Sequence, residues 1–270
     1  MEFSTLDVTL DGNVATIALN RPDKANAMSE PMWYEIEQAM QWLDETPEAR
    51  VGVLVGRGKY FTSGIDLALL MGVPAKIEDE DEARKREKLR RLILDLQDCL
   101  SSVERCRKPV LAAIHGACIG GALDLVTCCD MRYATTDVLF SVREIDVGMV
   151  ADVGTLQRLP RLIPEGIARE LAFTGRNFLA DEAARYSLIN RVFASPEALT
   201  AAVGELAQAI ATKSPLSTRG IKEVMNFSRD HSVGDGLNFV ATWNASMLLS
   251  ADLNEAITAQ RERRPPRFAD

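Results

Sequence analysis

Three carboxylates and a pair of glycines, all within one stretch of the chain, are the residues best suited to chemistry. The glycines are Gly120 and Gly121, and the acids are Asp124, Glu144 and Asp152. A glycine turn that opens a helix presents free backbone N–H groups at a point of positive potential, where a phosphate, a carboxylate or a developing oxyanion can bind. Asp124 follows by one helical turn. Acids beside such a turn predict proton-transfer chemistry.

A strand, a turn and a helix are needed to place these groups. Residues 110–114 form an apolar run of strand length, and residues 122–126 have the composition of a buried helix. A second unit of this kind consists of a strand at 51–55, a glycine loop at 56–64 and a helix that begins at Ile65. This second unit can present further backbone N–H groups near Ile65.

The rest of the chain predicts an α/β core followed by helices. A β-hairpin is expected over residues 8–19 and a helix over 31–43. The very polar residues 72–90 are interpreted as a flexible surface loop that enters a solvated helix. We predict a core over residues 1–200, which holds the active site, and a C-terminal helical oligomerisation region over 201–270.

Composition limits the classes of function. The chain has 270 residues, of which 47% are hydrophobic, and a formal net charge of −8, so nucleic acid is not expected as the main partner. No apolar run reaches the length of a membrane helix, and no targeting signal is recognised, which favours a cytoplasmic protein. Five cysteines without framework spacing are expected to be reduced thiols, and two histidines argue against a zinc site.

Other assignments of these motifs fail or stay open. The chain lacks the G-x-G-x-x-G pattern of dinucleotide-binding sites, the Walker pattern and the G-x-S-x-G nucleophile elbow. His115 is expected to be a hydrogen-bonded structural histidine. Taken singly, Asp124 can cap a local backbone donor, Glu144 can pair with Arg143 or Arg132, and Asp152 can be the N-cap of a helix over 152–160. The order of the three acids after the glycine turn favours a shared site.

Four ordered motifs resemble the enoyl-CoA hydratase/isomerase (crotonase) family. They are NRPDKANAM from Asn20, KYFTSGIDL from Lys59, KPVLAAIHGACIGGALDLVTCCDMRYA from Lys108 and VGTLQRLPRLI from Val153. The resemblance implies an α/β fold built as a spiral of ββα units, with C-terminal helices that assemble trimers, often paired into hexamers. It also implies an acyl-CoA thioester as substrate, with neither a metal nor a separate cofactor.

The resemblance assigns binding residues by position. The thioester oxygen would accept hydrogen bonds from the N–H groups of Ile65 and Gly121. The residues that would contact the acyl-CoA are Lys24, Ala25, Gly64, Ile65, Asp66, Leu67, Gly121 and Ala122. Ala122 stands where the family usually has a third glycine, a departure that should leave the N–H groups in place. Candidate cations for the phosphates of coenzyme A are Lys24, Arg21, Arg261, Arg263 and Arg264, although each can equally be an ordinary solvated cation.

The three acids distinguish activities within the family. Hydratases resemble this chain but carry glutamates at positions 124 and 144 and typically glycine at 152. The present set is similar to the branch that isomerises 3,5-dienoyl-CoA to 2,4-dienoyl-CoA in fatty acid β-oxidation. By that resemblance, Glu144 would be the base at C2, Asp124 the acid at C6, and Asp152 would tune Glu144. The alternatives are a 2-enoyl-CoA hydratase and a non-catalytic acyl-CoA-binding protein.

Overall fold

Two β-sheets position the loops that carry the glycine turn and the acids. The computed structural model describes residues 3–270. The strands are β1 (Leu6–Asp11), β2 (Val14–Leu19), β3 (Val51–Gly56), β4 (Val110–Ile114), β5 (Ala117–Ile119), β6 (Met131–Thr135), β7 (Leu139–Ser141), β8 (Phe178–Leu179) and β9 (Arg191–Phe193). The helices are α1 (Glu30–Glu45), α2 (Leu67–Lys76), α3 (Glu82–Arg105), α4 (Gly121–Thr127), α5 (Thr155–Leu162), α6 (Glu165–Thr174), α7 (Ala180–Arg185), α8 (Pro196–Ala211), α9 (Pro215–Arg229), α10 (Val233–Met247) and α11 (Ala251–Glu262).

The topology confirms the predicted spiral of ββα units. The larger sheet has the order β1-β2-β3-β4-β6-β9, in which only the β1–β2 hairpin is antiparallel. The smaller sheet has the order β5-β7-β8. Strand pairs followed by a helix recur along the chain, as in β1-β2-α1 and β4-β5-α4. Because the carboxyl ends of parallel strands share one edge, the loops after β3 and β4 meet there.

Helices cover both faces of the larger sheet. On one face, the main core buries Trp33, Ile36 and Met40 of α1. On the other face, α8 packs Leu199 and Val203 against strands of the sheet. Residue 200 therefore lies inside a helix that contacts the sheet, and the predicted division of the chain at this residue stays a prediction.

Residues 72–90, predicted as a flexible surface loop that enters a solvated helix, contain a shorter loop than expected. Helix α2 continues to Lys76 and α3 already begins at Glu82, so only residues 77–81 are irregular. Asp81 ends the loop because its side chain accepts hydrogen bonds from the N–H groups of Ala83 and Arg84, which caps α3. Ion pairs such as Lys85–Glu82 then stabilise the charged first turns. High polarity here reflects a solvated helix.

Two further predictions concern single residue types. All five cysteines are buried and none forms a disulfide. Nε2 of His115 donates a hydrogen bond of 2.9 Å to the carbonyl oxygen of Gly58, in keeping with the expected structural role of this histidine. Among the helices of residues 3–270, none combines the length and the apolarity that crossing a bilayer requires.

Candidate active site

Two backbone turns meet at the carboxyl edge of the larger sheet. Gly64 has φ of +90°, and a methyl group added there would lie 2.3 Å from the carbonyl oxygen of Ile119 and 3.2 Å from the nitrogen of Gly121. A methyl group added to Gly121 would lie 3.6 Å from the nitrogen of Ile65. The approach is therefore too close for a side chain at Gly64. The structure brings together the two N–H groups that the sequence singled out.

Both N–H groups are available to a ligand. Within the described chain, neither the nitrogen of Ile65 nor that of Gly121 donates a backbone hydrogen bond. Gly121 is the first residue of α4, where an N–H group has no partner in its own helix. The preceding Gly120 adopts φ of +56° and ψ of −124°, a combination that favours glycine. The pair forms a site for an oxygen that develops negative charge.

Hydrogen bonds fix the first of these turns. The N–H of Ser63 donates to the carbonyl oxygen of Ala25 at 3.0 Å, and the N–H of Asp66 donates to that of Met28 at 3.1 Å. The N–H of Thr62 donates to the carbonyl oxygen of Ala117 at 3.1 Å, which ties the turn to β5. These bonds leave Ile65 with its N–H exposed between two anchored neighbours.

Sequence reasoning missed Asn26 as a residue that supports the site. Asn26 is completely buried with φ of +51°, a region that asparagine tolerates better than most residues. Its Nδ2 donates to the carbonyl oxygens of Arg57 and Tyr60, both at 2.8 Å, and its Oδ1 accepts from the N–H of Arg21. The side chain thus joins two loops. The sequence signal that could have identified this role is an asparagine within the NRPDKANAM motif, in the loop between β2 and α1.

Asp124 is a completely buried carboxylic acid on α4. Its Oδ1 accepts a hydrogen bond of 2.5 Å from the N–H of Thr155, whereas its Oδ2 has no hydrogen-bond partner among the described residues. Burial, and then the nearby carboxylate of Glu144, raise the pKa of Asp124 to about 7. The bond to Thr155 opposes this shift because it favours the ionised form. Asp124 can therefore hold or release a proton near neutrality.

Glu144 faces the glycine turn and makes none of the ion pairs considered from the sequence. A methyl group added to Gly120 would lie 3.0 Å from Oε1 of Glu144, and Oε2 is buried without a partner in the described chain. Burial, and then Asp152, raise the pKa of Glu144. Arg143 pairs instead with Asp146. The other proposed partner, Arg132, donates to backbone carbonyl oxygens.

Asp152 completes the group of acids. It is half-buried, burial raises its pKa, and its charge contributes to the raised pKa values of Asp124 and Glu144. Its carbonyl oxygen accepts a hydrogen bond of 2.6 Å from Nε2 of Gln97. The alternative that Asp152 is an N-cap is wrong, because α5 begins at Thr155 and its N-cap position is a glycine.

The predicted coenzyme A residues lie around the first turn. Lys24 is exposed and Ala25 has φ of +51°. Asp66 is fully engaged in local structure, because its Oδ1 caps the N–H of Ala68 at 3.0 Å and its Oδ2 pairs with Arg21 at 2.9 Å. These contacts lower the pKa of Asp66. Leu67 is exposed, whereas Gly121 and Ala122, which belong to the second turn, are buried.

The C-terminal arginines have a different setting. Arg264 pairs with Glu255 at 2.6 Å and with Glu262 at 2.6 Å, whereas Arg261 and Arg263 are exposed. The end of the chain contacts Arg50, whose guanidinium binds the carbonyl oxygen of Phe268 and the side chain of Asp270. Arg50 precedes β3 and the first turn follows it, so the last residues lie at the opposite end of the sheet.

The described residues contain no group of three histidine, cysteine or acidic side chains arranged to hold a metal ion. The expectation that the protein uses no metal and no separate cofactor stays a prediction. What the arrangement can do is hold a developing oxyanion beside several carboxylic acids of raised pKa, which is the apparatus for moving protons on a carbon next to a carbonyl group.

Comparisons with known proteins agree with this chemistry. Residues 9–270 match the family model described as enoyl-CoA hydratase/isomerase. A peroxisomal Δ(3,5)-Δ(2,4)-dienoyl-CoA isomerase of Arabidopsis thaliana is 45% identical over 99% of this chain and 98% of its own length. The mitochondrial enzyme of the same name from Homo sapiens is 44% identical over 97% of this chain and 80% of its length. The crystal structure of an enoyl-CoA hydratase from Bacillus anthracis superimposes with a TM-score of 0.89 at 29% identity, covering 98% of this chain and 99% of the other.

Proposed function

Because the chain belongs to the enoyl-CoA hydratase/isomerase family, we propose that it isomerises 3,5-dienoyl-CoA to 2,4-dienoyl-CoA. The observation that carries the proposal is the set Asp124, Glu144 and Asp152, three acids with raised pKa values beside two free N–H groups. The names of the relatives in Arabidopsis thaliana and Homo sapiens support the same reaction. The reaction belongs to fatty acid β-oxidation.

The thioester oxygen binds between the N–H groups of Ile65 and Gly121. A proton at C2 of a thioester is too weakly acidic for a carboxylate unless the enolate oxygen is stabilised, and one preorganised donor is worth about 3 kcal/mol. The acyl-CoA lies along Lys24 and Ala25, along the turn from Gly64 to Leu67, and against Ala122. Coenzyme A enters as part of the substrate.

The positions of two acids fit the two carbons that exchange a proton. Glu144 lies against Gly120, beside the thioester site, and so takes the proton from C2. The resulting charge delocalises from the thioester oxygen to C6. Asp124 lies three residues into α4 from Gly121, about 4.5 Å further along the helix axis, and it donates its proton to C6. The double bonds at C3 and C5 thereby move to C2 and C4.

Asp152 tunes the acid that removes the proton. Burial, and then the charge of Asp152, raise the pKa of Glu144, so the carboxylate is a stronger base than a solvated glutamate. Three carboxylates in one buried site cannot all ionise at low cost, so at least one holds a proton near neutrality. That state supplies a base and an acid at the same time.

An ultraviolet assay with a 3,5-dienoyl-CoA, run beside a hydration assay with a 2-enoyl-CoA, tests the proposal. The conjugated 2,4-dienoyl product absorbs at longer wavelength, so rapid growth of that band with slow hydration is expected. The variant Glu144→Gln should lose the isomerisation, whereas Asp146→Asn, an exposed acid on the same turn, should retain it. Full activity of Glu144→Gln would overturn the assigned role.

Hydration is the second candidate, because the family match and the Bacillus anthracis structure carry that name as well. Fast hydration without growth of the diene band would favour this reading. A protein that binds acyl-CoA but turns over neither substrate would be a non-catalytic member. The aspartate at position 124 and the extra acid at position 152 favour isomerisation.

Assembly and location complete the proposal. We expect a homotrimer or a hexamer, because α9, α10, α11 and the connection between α10 and α11 leave large apolar side chains exposed on a single chain. They are Ile221, Met225, Val233, Leu237, Leu248, Leu249 and Ile257. A cytoplasmic location stays a prediction, since the names of the two relatives place one in peroxisomes and the other in mitochondria.

A further inference from the structure

An ion-pair cluster lies directly behind the acids. Arg158 of α5 is nearly buried, with a side chain 15% exposed, and its Nη2 lies 2.8 Å from Oε2 of Glu104 on α3. Nη2 also lies 3.0 Å from Oγ of Ser101. Glu104 has a second partner, Arg229 of α9. The guanidinium of Arg158 is therefore fixed by two side chains of α3, and the reaction as described above gives it no role.

This guanidinium packs against the turn that holds Asp124. Gly154 has φ of +136°, and a methyl group added there would lie 2.0 Å from Nη1 of Arg158. The next residue is Thr155, whose N–H donates to Oδ1 of Asp124. Asp152 precedes the same turn. Arg158 thus packs against the segment from Asp152 to Thr155, which carries one acid, Asp152, and donates a hydrogen bond to another, Asp124.

We propose that Arg158 is a positioning residue for Asp124, both because it holds the Gly154 turn in place and because its positive charge favours the ionised carboxylate. The inference rests on the proposed role of Asp124 as the acid. Asp124 gives up its proton in each turnover and must regain it, so its ionised state has to be accessible near neutrality. Arg158 makes this state accessible in a site that otherwise opposes it.

The charges that face Asp124 support this role. Glu144 and Asp152 oppose its ionisation. The thiols of Cys118 and Cys128 also face it, but burial raises the pKa of both thiols far enough that they stay neutral. Arg158 interacts favourably with ionised Asp124, although more weakly than burial, Glu144, Thr155 and Asp152 act on that carboxyl group. Burial opposes the charge of Arg158, but its pKa is nevertheless raised, with the hydrogen bond to Glu104 among the causes, so this charge persists over the working range of pH.

The test is the pH dependence of kcat in Arg158→Met and Arg158→Lys. Turnover of the unmodified enzyme should fall at alkaline pH as Asp124 loses its proton. In Arg158→Met this alkaline limb should move upward, because the ionised carboxylate loses a favourable charge. The kcat at neutral pH should fall about tenfold or more, because the Gly154 turn loses its support. Arg158→Lys should return the limb toward its original position. A purely structural role would lower kcat at every pH without moving the limb.

Arg161→Met is the matched control. Arg161 lines the same cavity of about 350 Å³ behind the acids, but its partner is Asp230. This variant should keep the original pH profile. In Arg158→Met, Glu104 still has Arg229 as a partner, so no buried carboxylate is left unpaired.

Titration of the Asp124 carboxyl carbon by nuclear magnetic resonance separates this inference from the proposed function. An upward shift in Arg158→Met supports the inference even if the substrate is not a dienoyl-CoA. An unchanged titration and an unchanged limb would overturn it while leaving the isomerase intact. If the unmodified protein has no isomerase activity but the titration of Asp124 shifts upward in Arg158→Met, only the proposed function is overturned.

Discussion

At the scale of single residues, the property that makes Asp124 useful also costs stability. Its pKa is about 7 in the folded chain but about 3.9 in an unfolded one. Between about pH 4 and pH 7 the unfolded chain therefore releases a proton that the folded chain retains, and stability falls as pH rises. Burial of this one carboxyl group therefore makes proton donation possible near neutrality and also lowers the free energy of unfolding.

The variant Asp124→Asn should therefore lose isomerase activity and gain relative stability as pH rises. Asparagine can still accept the hydrogen bond from Thr155 but does not ionise. Its free energy of unfolding, relative to that of the unmodified protein, should increase by about 2 kcal/mol or more from pH 4 to pH 8. Urea unfolding at both pH values measures this difference. A difference that is the same at both would show that the pKa of Asp124 is not raised.

The sequence identified the acids but not the state of their oxygens. Residue type and order predicted that Asp124, Glu144 and Asp152 belong together. Local alternatives, such as the pairing of Glu144 with Arg143, could be rejected only after the structure gave Arg143 another partner. The role of Arg158 could not be predicted from the sequence either, because it depends on a contact between distant parts of the chain. The ion pair of Arg158 with Glu104 depends on how α3 and α5 pack, and no local pattern encodes that packing.

At the scale of elements, one glycine determines whether the two oxyanion donors can meet. Gly64→Ala would place a methyl group 2.3 Å from the carbonyl oxygen of Ile119, at a φ that alanine disfavours. The turn must then move, and Ile65 with it. We expect kcat to fall about 100-fold or more, as when one oxyanion donor is lost, and the melting temperature to fall by several degrees.

Gly72→Ala is the matched control for this change. Gly72 lies within α2, and an added methyl group would meet nothing within 4 Å. Activity should be retained, and the helix should gain up to about 1 kcal/mol. Measurement of kcat and of thermal unfolding on both variants decides the matter. Full activity in Gly64→Ala would remove the two-turn oxyanion site from the mechanism.

Elements were predictable where one local signal dominated. The apolar run at residues 110–114 coincides with β4, because a buried parallel strand bounded by proline and glycine has no competing pattern. The short strands β5 and β7 were not predicted, since three residues carry too little periodicity. In residues 72–90 the solvated helix was predicted, but the loop before it was expected to be longer than residues 77–81.

At the scale of the whole molecule, exposed apolar side chains indicate surfaces that a single chain leaves uncovered. Val233 and Leu249 are 80% and 92% exposed, and Met225 and Leu237 also project from the C-terminal helices. Solvent exposure of so many large apolar groups on three helices and the connection between two of them is unusual for a monomer. The sequence predicted helices here, and the family resemblance supplied the assembly, which no periodicity in one chain reveals.

Leu249→Asp should therefore weaken self-association. A carboxylate placed at an apolar contact between subunits must be desolvated without a partner, which costs several kcal/mol at each symmetry-related copy. Sedimentation should show the unmodified protein at three or six times the mass of one chain and the variant at a lower mass. Leu10→Asp, on the edge strand β1, is the control and should keep the original mass. A monomeric unmodified protein would contradict the assembly without affecting the assignment of the acids, whose contacts all lie within one chain.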